Sequence, residues 1–163
     1  MNRLRNKPRL SKNAEELRLG GISLIKNAIK ARQMCEPLLD LYYSGSADSS
    51  DVNWICYLTH QSIELGLKGL VSYYLEEYQH GHFLMLNIKT IEDLSLDHPE
   101  LRELSDLLID LRGSITVSMN IWQAVCRYRD VVVSKRQIQY AESISNELIE
   151  FFRRHKYTER IDN

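Results

Sequence analysis

Three polar side chains have types and spacing that suit acid–base chemistry. His60, Glu64 and Lys68 are each four residues apart, so a helix places them on one face, with Gln61 beside them. An imidazole, a carboxylate and an ammonium group can move a proton or hold an anion in a sheltered site. The ordinary alternative is a solvated seam or a structural ion pair. Because the surrounding helix is strongly apolar, we expect the Glu64–Lys68 pair to be partly buried.

A second polar set lies near the predicted end of a later helix. Arg127, Tyr128 and Arg129 are consecutive and are followed by Asp130. Guanidinium groups donate hydrogen bonds to phosphate in a fixed geometry, so this set predicts an anion contact. An alternative is that one of these arginines pairs with the acidic middle of the chain, for instance with Glu64.

Histidines are the residues that a metal site in this chain would use. His80 and His82 are two residues apart and His98 follows later, but no Glu-x-x-His or Cys-x-x-Cys pattern accompanies them. We therefore expect no metal, and we interpret His82 as a loop residue that hydrogen-bonds a helix end. The sequence also lacks a glycine-rich phosphate loop and a nucleophile elbow, so no cofactor is predicted.

Composition limits the class of protein. The chain has 163 residues, of which 44% are apolar and 26% charged, with seven glycines and three prolines. These values are typical of a single globular domain and argue against a turn-rich β fold. No apolar run approaches the roughly 20 residues that span a bilayer, and we expect no secretory signal. The cysteines Cys35, Cys56 and Cys126 are an odd number among apolar neighbours, which predicts reduced core residues in a cytoplasmic protein.

Charge is unevenly distributed along the chain. The net charge of -1 combines a basic beginning (residues 1–35), an acidic middle (36–111) and a basic end (112–163). This pattern can steer an anionic partner or draw copies of the chain together. It is also compatible with an ordinary solvated surface, since no segment alternates basic and aromatic residues.

Helical periodicity dominates the first half of the chain. Apolar residues recur at helical spacing from Ile22 onward, and Pro37 predicts that this helix kinks or ends near Glu36. A loop follows over residues 44–50, with Asp51 as the next N-cap. The second helix is predicted over about residues 52–78 and is apolar on more than one face, which predicts a central position.

Glycines and caps organise the remaining elements. Gly66 and Gly69 predict that another helix approaches the second helix closely. Residues 79–98 are expected to be mostly loop. A leucine-rich helix is predicted from Pro99 to Gly113, and a fourth helix over residues 114–130.

The predicted last helix begins with a capping box formed by Ser134 and Gln137. The sequence therefore predicts an all-α fold, an antiparallel up-and-down bundle of four to five helices. We predict a basic N-terminal arm over residues 1–13, a single helical domain over 14–156 and a C-terminal tail over 157–163.

The second helix resembles a known signature. The run from His60 to Leu70, His-Gln-Ser-Ile-Glu-Leu-Gly-Leu-Lys-Gly-Leu, is similar to the Gln-Gln-Ala-Ala-Glu-x-x-Leu-Lys-x-Leu motif of HEPN domains. The segment Gly81–Leu86 resembles the family's Gly-His-x-Leu-x-x-Leu element, with its last leucine one position early. Arg127-Tyr128 matches the start of a later Arg-Tyr-Pro, with Arg129 in place of proline. The three elements occur in the family's order from about residue 22 to residue 155.

The resemblance implies a small α-helical bundle, commonly homodimeric, of the kind found in toxin–antitoxin, phage-defence and RNA-processing systems. Many such domains pair with a nucleotidyltransferase encoded beside them. The catalytic branch cuts RNA without metal, using an arginine and a histidine separated by four to six residues. Here the corresponding positions after Arg127 are residues 132–134, and those after Arg129 are residues 134–136. Neither window contains histidine.

Three functional hypotheses remain. The resemblance and the missing histidine favour a cytoplasmic, homodimeric module that binds a nucleotide, RNA or a partner protein without catalysis. Its predicted site residues are Arg127, Arg129, Tyr128, Lys68, Glu64, His82 and His60. The first alternative is a divergent, metal-independent ribonuclease in which His60 or His82 supplies the proton. The second is a structural subunit whose basic N-terminal arm docks on an acidic partner or a neighbouring chain.

Overall fold

The computed structural model describes residues 7–76, 81, 84–109, 119, 122 and 130–159, with side chains from residue 14 onward. Within these residues the chain forms five α-helices and no strand, which confirms the predicted all-α bundle. The helices are α1 (Lys7–Tyr43), α2 (Ser49–Leu75), α3 (Leu84–Asp97), α4 (Arg102–Ile109) and α5 (Lys135–Arg154). One 3-10 turn, Pro99–Leu101, precedes α4, and another, Tyr157–Glu159, follows α5.

Helix α1 continues through Pro37, so of the two outcomes predicted there, a kink or an end near Glu36, the end is wrong. Proline removes the backbone hydrogen bond to the carbonyl of Gln33, but both residues are exposed and water can satisfy that carbonyl. Beyond the proline, Leu39 is only 3% exposed and packs with Cys35 in a second apolar cluster. Burial of this last turn offsets the cost of the lost hydrogen bond.

Helix α2 begins three residues earlier than predicted, with Asp48 as its N-cap. The Asp48 carboxylate accepts a hydrogen bond from the Asp51 backbone N–H at 2.9 Å, and the Asp51 carboxylate accepts one from the Asp48 N–H at 3.0 Å. Asp51 is therefore the third residue of a reciprocal capping box and not the cap itself. The helix ends at Glu76, which adopts the left-handed conformation with φ 55°.

Helix α3 occupies a segment that the sequence predicted to be mostly loop, and that prediction is wrong. Leu84, Ile88, Ile91 and Leu94 recur every three or four residues, and all are buried. The helix has only 14 residues and packs against α2 and α4. Its stability comes from this burial, which cannot be deduced from the helix propensity of the segment itself.

The second half of the chain follows the prediction where the structure describes it. Pro99 opens a 3-10 turn that leads directly into α4. Ser134 and Gln137 form the predicted capping box of α5. Of the fourth helix predicted over residues 114–130, the structure describes Met119 and Trp122, which are helical and buried, and Asp130, which is not helical.

The core lies around α2, which packs against α1, α3 and α5. Close helix contact at the glycines is confirmed. A Cβ on Gly69 would lie 2.7 Å from the Gly21 carbonyl oxygen of α1, and one on Gly66 would lie 2.8 Å from a Leu148 methyl of α5. The glycines thus let two neighbouring helices approach α2 more closely than any side chain would permit.

Two of the three cysteines lie in described residues. Cys35 and Cys56 are buried and not joined in a disulfide, as predicted, and Cys126 lies outside the described residues. No helix in the described part of the chain has the length and apolar character to span a membrane.

Candidate functional site

The predicted polar stripe lies on the most buried helix of the bundle. His60 is 0%, Glu64 1% and Lys68 8% exposed, although most of the other buried side chains of α2 are apolar. The Lys68 Nζ donates a hydrogen bond to Glu64 Oε1 at 2.6 Å. The expected partly buried ion pair is therefore confirmed, and its burial is nearly complete.

His60 extends the stripe by one helical turn. Its Nδ1 atom lies 3.4 Å from Glu64 Oε2, so one carboxylate faces a cation on one side and an imidazole on the other. Such a series can hold a proton or fix the charge of a neighbouring group. Because the His60 side chain is 0% exposed, a substrate in solvent does not reach it.

Neighbouring helices hold the stripe in place through buried polar contacts. The Ser145 hydroxyl of α5 donates to the Ser62 hydroxyl of α2 at 2.9 Å. On the α1 side, the Cys35 thiol lies 3.6 Å from the Thr59 hydroxyl. Burial raises the pKa of the Cys35 thiol, so this group stays neutral and unreactive at physiological pH.

The structure brings together His60, Glu64 and Lys68 of the seven predicted site residues. Arg127, Tyr128, Arg129 and His82 lie outside the described residues, as does His80. The interpretation that an arginine pairs with Glu64 therefore stays a prediction. Among the described residues, no group of three or more histidine, cysteine or acidic side chains is arranged to hold a metal ion.

A polar network between α1 and α5 was not anticipated from the sequence. Arg32 is 9% exposed, and its Nε donates to the Asn146 side-chain oxygen at 2.6 Å. Its Nη2 lies 3.5 Å from Glu142 Oε1, and Glu142 also accepts a hydrogen bond from Tyr43. The sequence does contain a signal for this network, because Arg32 lies among Ala28, Ala31 and Cys35 on the face that the apolar spacing assigns to the core.

A tyrosine cluster closes the other end of the bundle. The Tyr74 hydroxyl of α2 donates to Glu100 Oε1 at 2.9 Å and contacts the Tyr157 hydroxyl. Burial, followed by the hydrogen bond to Tyr157, raises the pKa of Tyr74 far above its ordinary value. This cluster joins the turn after α5 to α2 and to the 3-10 turn before α4, and it is a structural feature rather than part of the polar stripe.

Comparison with known families identifies the fold to which this arrangement belongs. The family model described as the HEPN domain matches residues 43–155, which include the stripe on α2 and most of the bundle. No curated protein and no solved structure matches the chain significantly. With more than half of its length matched by the family model, this chain belongs to the HEPN domain family.

Proposed function

We propose that this protein is a HEPN-domain binding module that engages a nucleotide, RNA or a partner protein and does not catalyse a reaction. The observation that carries the proposal is the burial of the Glu64–Lys68 pair, with both side chains less than one-tenth exposed. Charges this deep in a bundle brace the helices and orient their neighbours, and they do not contact a ligand in solvent. The missing histidine after Arg127 and Arg129 supports the same proposal.

Ligand contact in this proposal belongs to the arginines. Arg127 and Arg129 supply guanidinium donors for an anion, while Tyr128 and His82 line or brace the same site. His60, Glu64 and Lys68 form the buried support behind it. No metal or cofactor has a part in this arrangement.

The assembly and setting are proposed from the family. We expect a homodimer in the cytoplasm, consistent with the reduced, buried Cys35 and Cys56. We further propose a role in a bacterial toxin–antitoxin, stress or phage-defence system, with a nucleotidyltransferase-type protein as a candidate partner.

Binding by the arginine site is tested with Arg127→Ala in the full chain. We expect this variant to lose saturable binding of a short RNA and the wild-type oligomeric state together, measured by fluorescence anisotropy and sedimentation velocity. Lys89→Ala is the matched control, because it removes an exposed cation from α3. If a folded Arg127→Ala keeps both properties, the site assignment is wrong.

A divergent ribonuclease is the second candidate, and one observation favours it. The His60 imidazole and the Glu64 carboxylate, 3.4 Å apart, form the kind of pair that general bases use. Because both side chains are buried, this candidate requires the bundle to open far enough for RNA to reach His60. This candidate predicts RNA cleavage that survives EDTA and disappears in His60→Ala or His82→Ala. The binding module predicts that pure, folded wild-type protein leaves the same RNA intact.

A further inference from the structure

A short extended segment connects Arg129 to α5 and lies against the bundle. It comprises residues 130–134, and none of them is helical. Val131 and Val133 are partly buried and pack against core residues, whereas Val132 between them is 100% exposed. This alternation of inward and outward side chains is typical of an extended chain that lies on a surface. Packing of the two valines therefore attaches the segment to the helices.

The side chain of Asn53 holds this segment through two hydrogen bonds. Asn53 lies in the second turn of α2, and its Nδ2 atom donates to Asp130 Oδ1 at 3.1 Å. Its Oδ1 atom accepts from the Val131 backbone N–H at 2.8 Å. In the part of the chain that the structure describes, no other side chain forms a hydrogen bond with either residue. The amide thus uses its donor and its acceptor on two consecutive residues of the segment.

The stretch that carries the arginines, residues 123–129, is attached to the bundle by the residues on either side of it. Trp122, directly before it, is 3% exposed and belongs to the core. Asp130, directly after it, bonds to Asn53. Because consecutive Cα atoms are about 3.8 Å apart, the position of Asp130 limits the region that Arg129 can occupy. A backbone that is held in place before binding loses less conformational freedom on binding, which raises the affinity.

We propose that Asn53 is a positioning residue of the anion site, because its amide holds in place the backbone that continues from Arg129. This inference rests on the proposed function, in which Arg127 and Arg129 contact the anion. The residue type supports it, since asparagine is an unfavourable residue within a helix and its amide here supplies both a donor and an acceptor. An aspartate at the same position would keep the acceptor for Val131 but repel the Asp130 carboxylate.

Replacement of Asn53 by alanine in the full chain tests the proposal. We expect Asn53→Ala to bind the short RNA used for Arg127→Ala about tenfold more weakly than wild type, which corresponds to ordering about one more residue on binding. Fluorescence anisotropy measures the affinity. The melting temperature should stay close to that of wild type, because Asn53 is only partly buried and alanine is the better helix former. Gln33→Ala, which removes an exposed amide from α1, is the matched control and should bind like wild type.

Reciprocal exchange of the two side chains separates positioning from a general loss of stability. Asn53→Asp brings two carboxylates together and should weaken RNA binding at least as much as Asn53→Ala. The double variant Asn53→Asp/Asp130→Asn restores both hydrogen bonds, with donor and acceptor of the pair exchanged and the net charge unchanged, and should bind RNA like wild type. Hydrogen exchange gives a second readout. The Val131 amide should exchange faster in Asn53→Ala, while amides in the middle of α2 and α5 keep their protection.

The possible failures of this inference and of the proposed function give different results. If Asn53→Ala binds RNA as tightly as wild type while Arg127→Ala does not bind, the positioning role is wrong and the proposed function stands. A double variant that does not recover affinity, or faster exchange throughout α2 and α5 in Asn53→Ala, also overturns the positioning role, because Asn53 then acts on the fold as a whole. If wild-type protein binds no RNA, the arginine site itself is wrong, and the positioning role fails with it.

Discussion

At the scale of single residues, the buried Glu64–Lys68 pair has the clearest energetic consequence. Lys68→Met removes the cation and leaves the Glu64 carboxylate in the core, 1% exposed, beside His60. We expect this variant to lose about 3–5 kcal/mol of unfolding free energy, because an uncompensated buried charge is strongly destabilising. Urea denaturation followed by circular dichroism measures the change.

The matched controls separate loss of the pair from loss of a lysine. Lys26→Met replaces an exposed cation on α1 and should change the unfolding free energy by less than about 0.5 kcal/mol. The double variant Glu64→Gln/Lys68→Met should recover part of the loss, since no charge then remains unpaired in that position. A single Lys68→Met that behaves like the control would show that the pair is solvated in the native protein.

Tyr74 makes the stability of the protein dependent on alkaline pH. Its pKa is raised above the ordinary value of 10.0, first by burial and then by the hydrogen bond to Tyr157. The folded state therefore keeps the neutral phenol at pH values where the unfolded chain ionises. The stabilisation is complete below pH 10 and is lost as the pH rises above it.

A comparison with Tyr74→Phe isolates this effect from the other tyrosines. Phenylalanine cannot ionise in the folded or the unfolded state. The melting temperature of Tyr74→Phe should therefore fall less between pH 9 and pH 11 than that of wild type. At neutral pH the variant should be the less stable protein, because the hydrogen bond to Glu100 is lost. If the melting temperatures of wild type and Tyr74→Phe fall equally with pH, Tyr74 is not the source of the loss of stability at alkaline pH.

At the scale of helices, adjacent glycines on α1 should respond oppositely to the same substitution. A Cβ on Gly21 would lie 2.5 Å from the Gly69 carbonyl oxygen of α2, and backbone atoms cannot move aside as a side chain can. Gly21→Ala should therefore cost about 1–3 kcal/mol. A Cβ on Gly20 meets no atom within 4 Å, and Gly20→Ala should gain about 0.4–1 kcal/mol.

Thermal and chemical denaturation of these two variants tests the α1–α2 contact directly. The two substitutions are chemically identical and lie at adjacent positions, so helix propensity contributes equally to the stability change of both variants. The two substitutions change the unfolding free energy in opposite directions only if Gly21 lies against α2 and Gly20 faces solvent. Equal stabilisation of both variants would mean that the two helices are further apart than described.

At the scale of the whole molecule, the basic N-terminal segment separates two views of assembly. Deletion of residues 1–12 removes five basic residues and no acidic one, and the described core begins at Ile22. If the family-type bundle forms the dimer, the truncated protein keeps its oligomeric state and its melting temperature. Sedimentation velocity at low and high salt measures the oligomeric state, and thermal denaturation measures the melting temperature.

The structural-subunit hypothesis predicts the opposite result. In that case, association depends on attraction between the basic segment and the acidic middle of a neighbouring chain. Association would then weaken with salt in wild type and disappear in the deletion. A salt-sensitive dimer that the deletion abolishes would replace the binding module as the leading interpretation of this protein.

Local features of the sequence are enough to predict the fold class and much of the stripe. Helical spacing, scarce glycine and proline, and capping pairs such as Ser134 with Gln137 are local properties, so they can be derived without knowing the packing. The i, i+4, i+8 spacing likewise put His60, Glu64 and Lys68 on one face. The similarity of α2 to the HEPN signature predicted the family that the family model matches.

The depth of the site, the end of α1 and the existence of α3 depend on tertiary packing. Helix α1 passes Pro37 because Leu39 is buried against α2, and α3 forms because its four apolar residues meet the core. The same packing put Arg32 next to Asn146 and Glu142, residues more than 100 positions away. Burial depends on partners distant in the chain, so local spacing predicts which residues share a face but not what covers that face.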